Sequence, residues 1–197
     1  KKGVTKKTQL NLFAKKYKSG IKAIKLDADD KLIGTAITDG KDEILLASSA
    51  GKLIRFHEKK VRSMGRVARG VRGMKIKKGQ KIISLMVADH TKEILCVSEN
   101  GFGKKSSIDD FRAQNRGGKG VIAIKTSERN GDMVSATLVN DTSSIMLISD
   151  KGTMIRTSCN QIPTLTRNTQ GVKIITPKEG EKIMECVRID EEDSEDQ

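Results

Sequence analysis

Cations recur at two fixed points of a repeat, and that recurrence is the chemistry most visible in this sequence. Lys7, Arg55, Lys105 and Arg156 each stand four residues after a glycine: Gly3, Gly51, Gly101 and Gly152. Lys16, Arg66, Arg116 and Arg167 each stand four residues before another: Gly20, Gly70, Gly120 and Gly171. In a stacked or ring-like array, equivalent positions lie along one circumference, so these eight are expected to form a belt suited to a polyanion backbone. Arg69 and Lys119 lie in the same segments and complete the candidate polyanion-binding set. Keeping strand edges soluble also favours lysine and arginine, but it does not require one sign at one register four times.

No residue pattern supports catalysis or a metal site. His57 and His90 have no second ligand at metal spacing and read as solvated strand or turn residues. Asp29-Asp30 and Asp109-Asp110 are adjacent carboxylates, which on a strand point to opposite faces, so they read as turn residues. A phosphate-cradling glycine loop is absent, and no cofactor is expected. Cys96, Cys159 and Cys186 are odd in number and far apart, which fits neither a disulfide framework nor a zinc site. Cys96 lies in an apolar run and is expected in the core.

The 197 residues carry a formal net charge of +13, which implies an anionic partner; nucleic acid is the first reading and a membrane surface the weaker one. No apolar run is long enough to span a bilayer and no secretion signal opens the chain, so a cytoplasmic location is expected. Single-strand binders stack bases on aromatic platforms, whereas this chain has four Phe, one Tyr and no Trp. Phe13 and Phe111 align in the repeat with Val61 and Ile162, which marks both as core. Duplex binding through phosphates fits better, and neutralising about eight phosphates gives a log–log salt slope of roughly −7.

The elements that position these cations repeat about every 50 residues. Gly20-Ile21-Lys22-Ala23-Ile24-Lys25-Leu26 returns as Gly70 to Ile76, as Gly120 to Thr126 and as Gly171 to Ile175. The apolar run Ile44 to Ser48 returns as Ile94 to Ser98 and Ile145 to Ser149, the pattern of strands covered on both faces. Leu32-Ile33-Gly34, Ile82-Ile83-Ser84, Met133-Val134-Ser135 and Ile183-Met184-Glu185 give a further strand per unit. Sustained helical periodicity is absent, so the expected fold is all-β, with about four propeller-like blades of four strands each. The repeats are expected at about 3–50, 51–100, 101–151 and 152–189, with an acidic disordered tail at 190–197 that either competes with DNA for the basic surface or keeps the chain soluble.

Gln114-Asn115-Arg116-Gly117-Gly118-Lys119-Gly120 resembles the box motif Gln-Arg-Arg-Gly-Gly-Lys-Gly of the DNA gyrase A C-terminal domain, with Asn115 in place of Arg. Gly51 to Phe56, Val61 to Arg66, Gly70 to Gly73, Glu128 to Gly131 and Arg167 to Val172 extend the resemblance to about residues 1–189. It implies a β-pinwheel whose blades exchange strands, either an open arc or part of a six-bladed disc, with duplex DNA wrapped on a basic rim. The segment Gln114 to Gly120 is then a degenerate counterpart of the box, with Arg116 and Lys119 as phosphate contacts and the glycines serving the turn. The resemblance further implies a non-catalytic part of an ATP-dependent type II topoisomerase that works with the rest of a dimeric gyrase A and with gyrase B. The strand-cleaving tyrosine of that family has no counterpart in Tyr17. The paralogous C-terminal domain of topoisomerase IV and a propeller scaffold for protein partners are the alternatives.

Overall fold

Three apolar runs become the central strands of three sheets. β2 (Glu43–Ser48), β6 (Glu93–Ser98) and β10 (Ser144–Ser149) each turn back through a glycine into β3 (Lys52–His57), β7 (Phe102–Ser107) and β11 (Met154–Ser158). The structure, a computed structural model, describes residues 1–15 and 17–189, so Lys16 and the acidic run 190–197 lie outside the described residues. Gly51 and Gly101 close their hairpins with φ of 69° and 78°, left-handed values that glycine adopts without steric cost. They also admit the next repeat: a Cβ on Gly51 would sit 2.1 Å from the carbonyl oxygen of Ile124, and one on Gly101 2.3 Å from that of Ile175.

The other flank of each central strand pairs with β5 (Ile82–Val87), β9 (Met133–Val139) or β13 (Ile183–Ile189), always antiparallel. Each pairing shifts register at one equivalent point, at Ser48, Ser98 and Ser149. Two-residue strands complete the pattern: β1 (Val4–Thr5) pairs with β4 (Val71–Arg72), β3 with β8 (Val121–Ile122) and β7 with β12 (Val172–Lys173). The sheets run β5-β2-β3-β8 and β12-β7-β6-β9, with a three-stranded β11-β10-β13 and a two-stranded β1-β4. Each four-stranded sheet therefore draws on three successive sequence repeats. β9 packs against both β5 and β13. Two hydrogen bonds join these strands, Ala136 N to Ser84 Oγ at 3.0 Å and Ser135 Oγ to the Cys186 carbonyl at 3.2 Å. One edge of each of the three larger sheets is thus tied to its neighbour, and β8 and β12 lie at the far, outer edge.

Period-two alternation distributes the central strands between cores. Ile44 and Leu46 face one cluster, with Ile54, Phe56, Val61 and Met74, while Leu45 and Ala47 face a second that also holds Ile94, Cys96 and Phe111. Leu95 and Val97 face the third, with Ile145, Leu147, Cys159 and Ile162. A strand buried on both faces has no polar side, which is why these runs read as continuously apolar. After β3, β7 and β11 the chain makes a short 3-10 turn, Glu58–Lys60, Ile108–Asp110 and Cys159–Gln161, and then plugs the core with Val61, Phe111 or Ile162. His57 and Ser107 cap two of these turns, accepting from the backbone N–H of Lys59 and Asp109.

The all-β expectation and the strand exchange are both realised, and the about four blades expected appear as two sheets of four strands, one of three and one of two. Ile21-Lys22 and Leu32-Ile33-Gly34 are not strands, although their counterparts in later repeats are. Those counterparts are paired by strands belonging to the preceding repeat, as β8 is by β3 and β5 by β2. Among the described residues no strand stands in that position for the first repeat. Of its apolar side chains Leu10, Leu26, Leu32 and Ile37 remain exposed.

Candidate nucleic-acid interface

Three members of the first cation series, Lys7, Arg55 and Lys105, turn inward. Arg55, on β3, donates through Nε to Glu43 at 2.7 Å and through Nη1 to the carbonyls of Ile108 and Phe111, and its side chain is 13% exposed. Its Nη1 also lies 3.6 Å from Asp109, and half-exposed His90 completes the cluster. Lys105, the equivalent on β7, is 5% exposed and ion-paired with Glu93 at 3.1 Å and with Asp141. Burial alone would lower the pKa of Lys105, but the hydrogen bonds and charges of Asp141 and Glu93 outweigh it and hold the ammonium above its usual range. Lys7 pairs with buried Glu58 at 3.2 Å. Arg156 is exposed, and its guanidinium donates to Ser144 Oγ at 3.3 Å. The backbone shows why this register recurs: the carbonyls of Lys7, Arg55 and Lys105 accept from Met64, Gln114 and Leu165 of the following repeat. Lys7, Arg55 and Lys105 are therefore joints between repeats, with their charge already neutralised, which corrects their expected placement on an exposed belt.

Glu58 anchors a joint of its own. Its carboxylate accepts from Lys7, from Thr38 Oγ1 at 3.1 Å, and from the backbone N–H of Gly40 at 2.7 Å and Asp42 at 3.2 Å. Burial pushes this carboxyl up, yet those donors prevail and its pKa lies below the ordinary value. Asp39 and Asp42 approach it, with ligand oxygens all within 4.8 Å. Because the Glu58 oxygens are already taken by four donors, the group serves the 38–42 turn.

Of the second series, Arg66, Arg116 and Arg167 are half-buried. Arg116 Nε donates to the Lys60 carbonyl at 2.7 Å and Nη1 to that of Arg72 at 3.1 Å; its counterpart Arg167 reaches the Ile122 carbonyl at 3.4 Å. Arg116 thus clasps the preceding repeat with two bonds, whereas Arg167 touches it through one long bond. Arg66 is half-buried and Arg69 is exposed, paired with Asp27 at 2.6 Å. In the box-like segment, Gln114 N binds the Arg55 carbonyl at 2.8 Å, Asn115 is exposed, and Gly117 N donates to the Gly73 carbonyl. The Gln114 side-chain nitrogen is buried without a partner among the described residues. A Cβ on Gly118 would sit 3.4 Å from Ile54, and one on Gly120, whose φ is +68°, 2.6 Å from the Leu53 carbonyl. Lys119 is exposed and makes no side-chain bond among the described residues.

The exposed positive charge at the outer edge lies mostly elsewhere. Arg62 and Arg112 follow the plugs Val61 and Phe111, Arg72 and Lys173 lie on β4 and β12, and Lys75 and Lys125 follow β4 and β8; all six are exposed. The backbone N–H of Lys25, Lys75 and Lys125 donates to Ala68, Gly118 and Thr169, each two residues before the glycine of the next segment. This ladder places successive segments side by side along the rim. Between the last two, Arg129 and Lys173 both lie over the Phe102 ring, at 4.8 and 5.5 Å from its centroid. Sequence reading passed over these residues, although Lys25, Lys75 and Lys125 recur five residues after Gly20, Gly70 and Gly120 as regularly as the series it chose.

Comparison with known proteins agrees with this architecture. The family described as DNA gyrase C-terminal domain, beta-propeller, matches residues 1–39, 42–89, 92–140 and 143–190. Among curated relatives, the DNA gyrase A protein of Pseudomonas aeruginosa is 47% identical over 189 residues, 96% of this chain and 20% of that protein. That of Clostridium acetobutylicum is 47% identical over 195 residues, 99% of this chain and 24% of that protein. The chain thus spans about a fifth to a quarter of the curated relatives it matches. Its fold superposes on the C-terminal domain of DNA topoisomerase IV with a TM-score of 0.89 at 24% identity, covering 95% of this chain and 59% of that one. For the DNA gyrase A C-terminal domain the TM-score is 0.78, also at 24% identity, covering 87% and 59%. With the family matched in four successive segments and strands exchanged between repeats, the chain belongs to the DNA gyrase C-terminal domain family.

Proposed function

We propose that this chain binds duplex DNA through its phosphates, with little regard to sequence, and curves it along the rim formed by β4, β8, β12 and the segments before them. The carrying observation is that exposed cations recur there at equivalent positions, Arg62 with Arg112 and Lys75 with Lys125, while the inward series is neutralised by acids. Curving 20–30 base pairs by 40–90° costs on the order of 1–6 kcal/mol, which several phosphate contacts along one rim can offset. In this reading the chain is a non-catalytic, cofactor-free part of an ATP-dependent type II topoisomerase. It supports negative supercoiling by delivering wrapped DNA to a dimeric gyrase A that works with gyrase B in the bacterial cytoplasm. Curated relatives at 47% identity favour gyrase over topoisomerase IV, whose domain is similar in fold at 24% identity.

The test is binding to a linear duplex of about 100 base pairs across a salt series, with end-to-end fluorescence transfer reporting curvature. The variant Arg62→Ala, Lys75→Ala, Arg112→Ala, Lys125→Ala is expected to lose both binding and curvature while keeping its melting temperature. Tight binding that survives this variant would reject the rim. No binding of the parent chain at low salt would favour a protein-scaffold role.

A further inference from the structure

We propose that Lys104 is a positioning residue for duplex DNA: its ammonium, buried beneath the segment from Pro163 to Arg167, holds that segment's backbone and so sets where Arg167 meets phosphate. The role rests on the DNA-binding reading above. Lys104 lies on β7 and is 0% exposed. Its Nζ donates to the Thr166 carbonyl at 2.7 Å and to Ser106 Oγ at 2.8 Å, and Ser106 Oγ in turn donates to the Leu165 carbonyl at 2.7 Å. The backbone of Lys105 adds two more bonds, its N–H to Pro163 at 3.0 Å and its carbonyl to Leu165 at 2.9 Å. A buried charge is costly and persists where its donors are used. Here both partners belong to or support a single rim segment.

The repeat shows what the lysine replaces. Three residues after each unit-opening glycine stand Lys6, Ile54, Lys104 and Ile155. Over Ile54 the next rim segment carries Gly117-Gly118 and packs down on the isoleucine. Over Lys6 and Lys104 the corresponding pairs are Val67-Ala68 and Asn168-Thr169, without glycine, and the ammonium binds a carbonyl, that of Arg66 or Thr166. Glycine contact and ammonium contact are thus two ways of seating the same segment.

The groups facing Lys104 make the device sensitive to bound phosphate. Burial lowers its pKa to about 8, Asp110 in the 3-10 turn opposes that, the Arg167 guanidinium adds to it, and Cys96 on β6 faces it without charge. Cys96 is itself a neutral thiol, pushed up to about 12 by burial. Phosphate against Arg167 offsets that guanidinium's repulsion and raises the affinity of Lys104 for its proton; reciprocally, the protonated state binds DNA more tightly. At pH 8 binding should therefore take up a proton in part.

The experiment is calorimetric titration of the chain with a linear duplex of about 100 base pairs, at pH 6.5 and 8, in buffers of different ionisation enthalpy. It is paired with amide hydrogen exchange of the free protein. Proton uptake is expected at pH 8 and not at pH 6.5, and Lys104→Met should abolish the uptake and weaken binding several-fold. In the same variant, exchange at Leu165 to Asn168 should rise on the order of tenfold, as for loss of one charge-assisted hydrogen bond. Should Lys104→Met fail to fold, Ser106→Ala, which keeps the charge, is expected to retain the uptake and still speed exchange in that segment. A parent chain that binds duplex without uptake, or a folded Lys104→Met with unchanged affinity and exchange, overturns the role of Lys104 alone. A parent chain that binds no duplex at low salt overturns the DNA-binding reading and this role with it.

Discussion

Two neighbouring cations of the box-like segment do different work. Arg116 spends its guanidinium on the carbonyls of Lys60 and Arg72, whereas Lys119 projects into solvent. Hydrogen bonds from a charged donor contribute about 1.5–3 kcal/mol each, so Arg116→Ala should lower the stability read by denaturant titration by at least that much. Lys119→Ala should leave stability within about 0.5 kcal/mol and reduce the salt slope of DNA binding by about 1. Glu58 gives stability a pH dependence. Its folded pKa lies below the ordinary value of 4.5, so the native state binds fewer protons than the unfolded one between those two values. The stability it contributes is fully present above about pH 4.5 and is lost as pH falls through the folded pKa. Acid titration of Glu58→Gln, followed by circular dichroism, should therefore show a shallower loss of stability in that window than the parent chain.

Between elements, glycine turns are the joints at which repeats lock. Gly101 has φ of 78° and accepts the N–H groups of both Ile174 and Ile175 on its carbonyl. Gly101→Ala adds left-handed strain and a Cβ against the Ile175 carbonyl, so we expect a destabilisation above about 2 kcal/mol and, in hydrogen exchange, early opening of β12. The same backbone logic decides which cations are free. Wherever the chain carries Lys7, Arg55 or Lys105, the main chain meets the next repeat, and acids from the paired strand or the adjoining turn neutralise the side chain. Periodicity in the sequence marks such positions as equivalent but says nothing about which way they face.

For the molecule as a whole, exchange of strands replaces the simple nearest-neighbour coupling of an ordinary repeat array with coupling across three repeats. Sheets β5-β2-β3-β8 and β12-β7-β6-β9 are expected to unfold in one cooperative transition, with coincident hydrogen-exchange free energies for β2, β6 and β9. Residues 20–38 of the first repeat make few backbone hydrogen bonds and should exchange far faster, at sub-global opening energies. Coincident protection of Ile21 and Leu45 would contradict this picture.

The sequence by itself determined the repeat, its length, the strand runs, the all-β class and the basic character, because burial on two faces and reversal at glycine leave direct marks in residue type. It also placed Phe13, Val61, Phe111 and Ile162 at one core position; the last three are buried there, whereas Phe13 is only half-buried. Only the tertiary structure decided which equivalent residues are strands and which cations meet solvent. Gly20-Ile21-Lys22 resembles Gly120-Val121-Ile122, yet only the second is a strand, because a β-strand is defined by hydrogen bonds to a partner that its own sequence does not contain. Arg55 and Arg62 are equally basic as residue types; Glu43 on the paired strand and Asp109 in the following turn neutralise the first, while the second faces water.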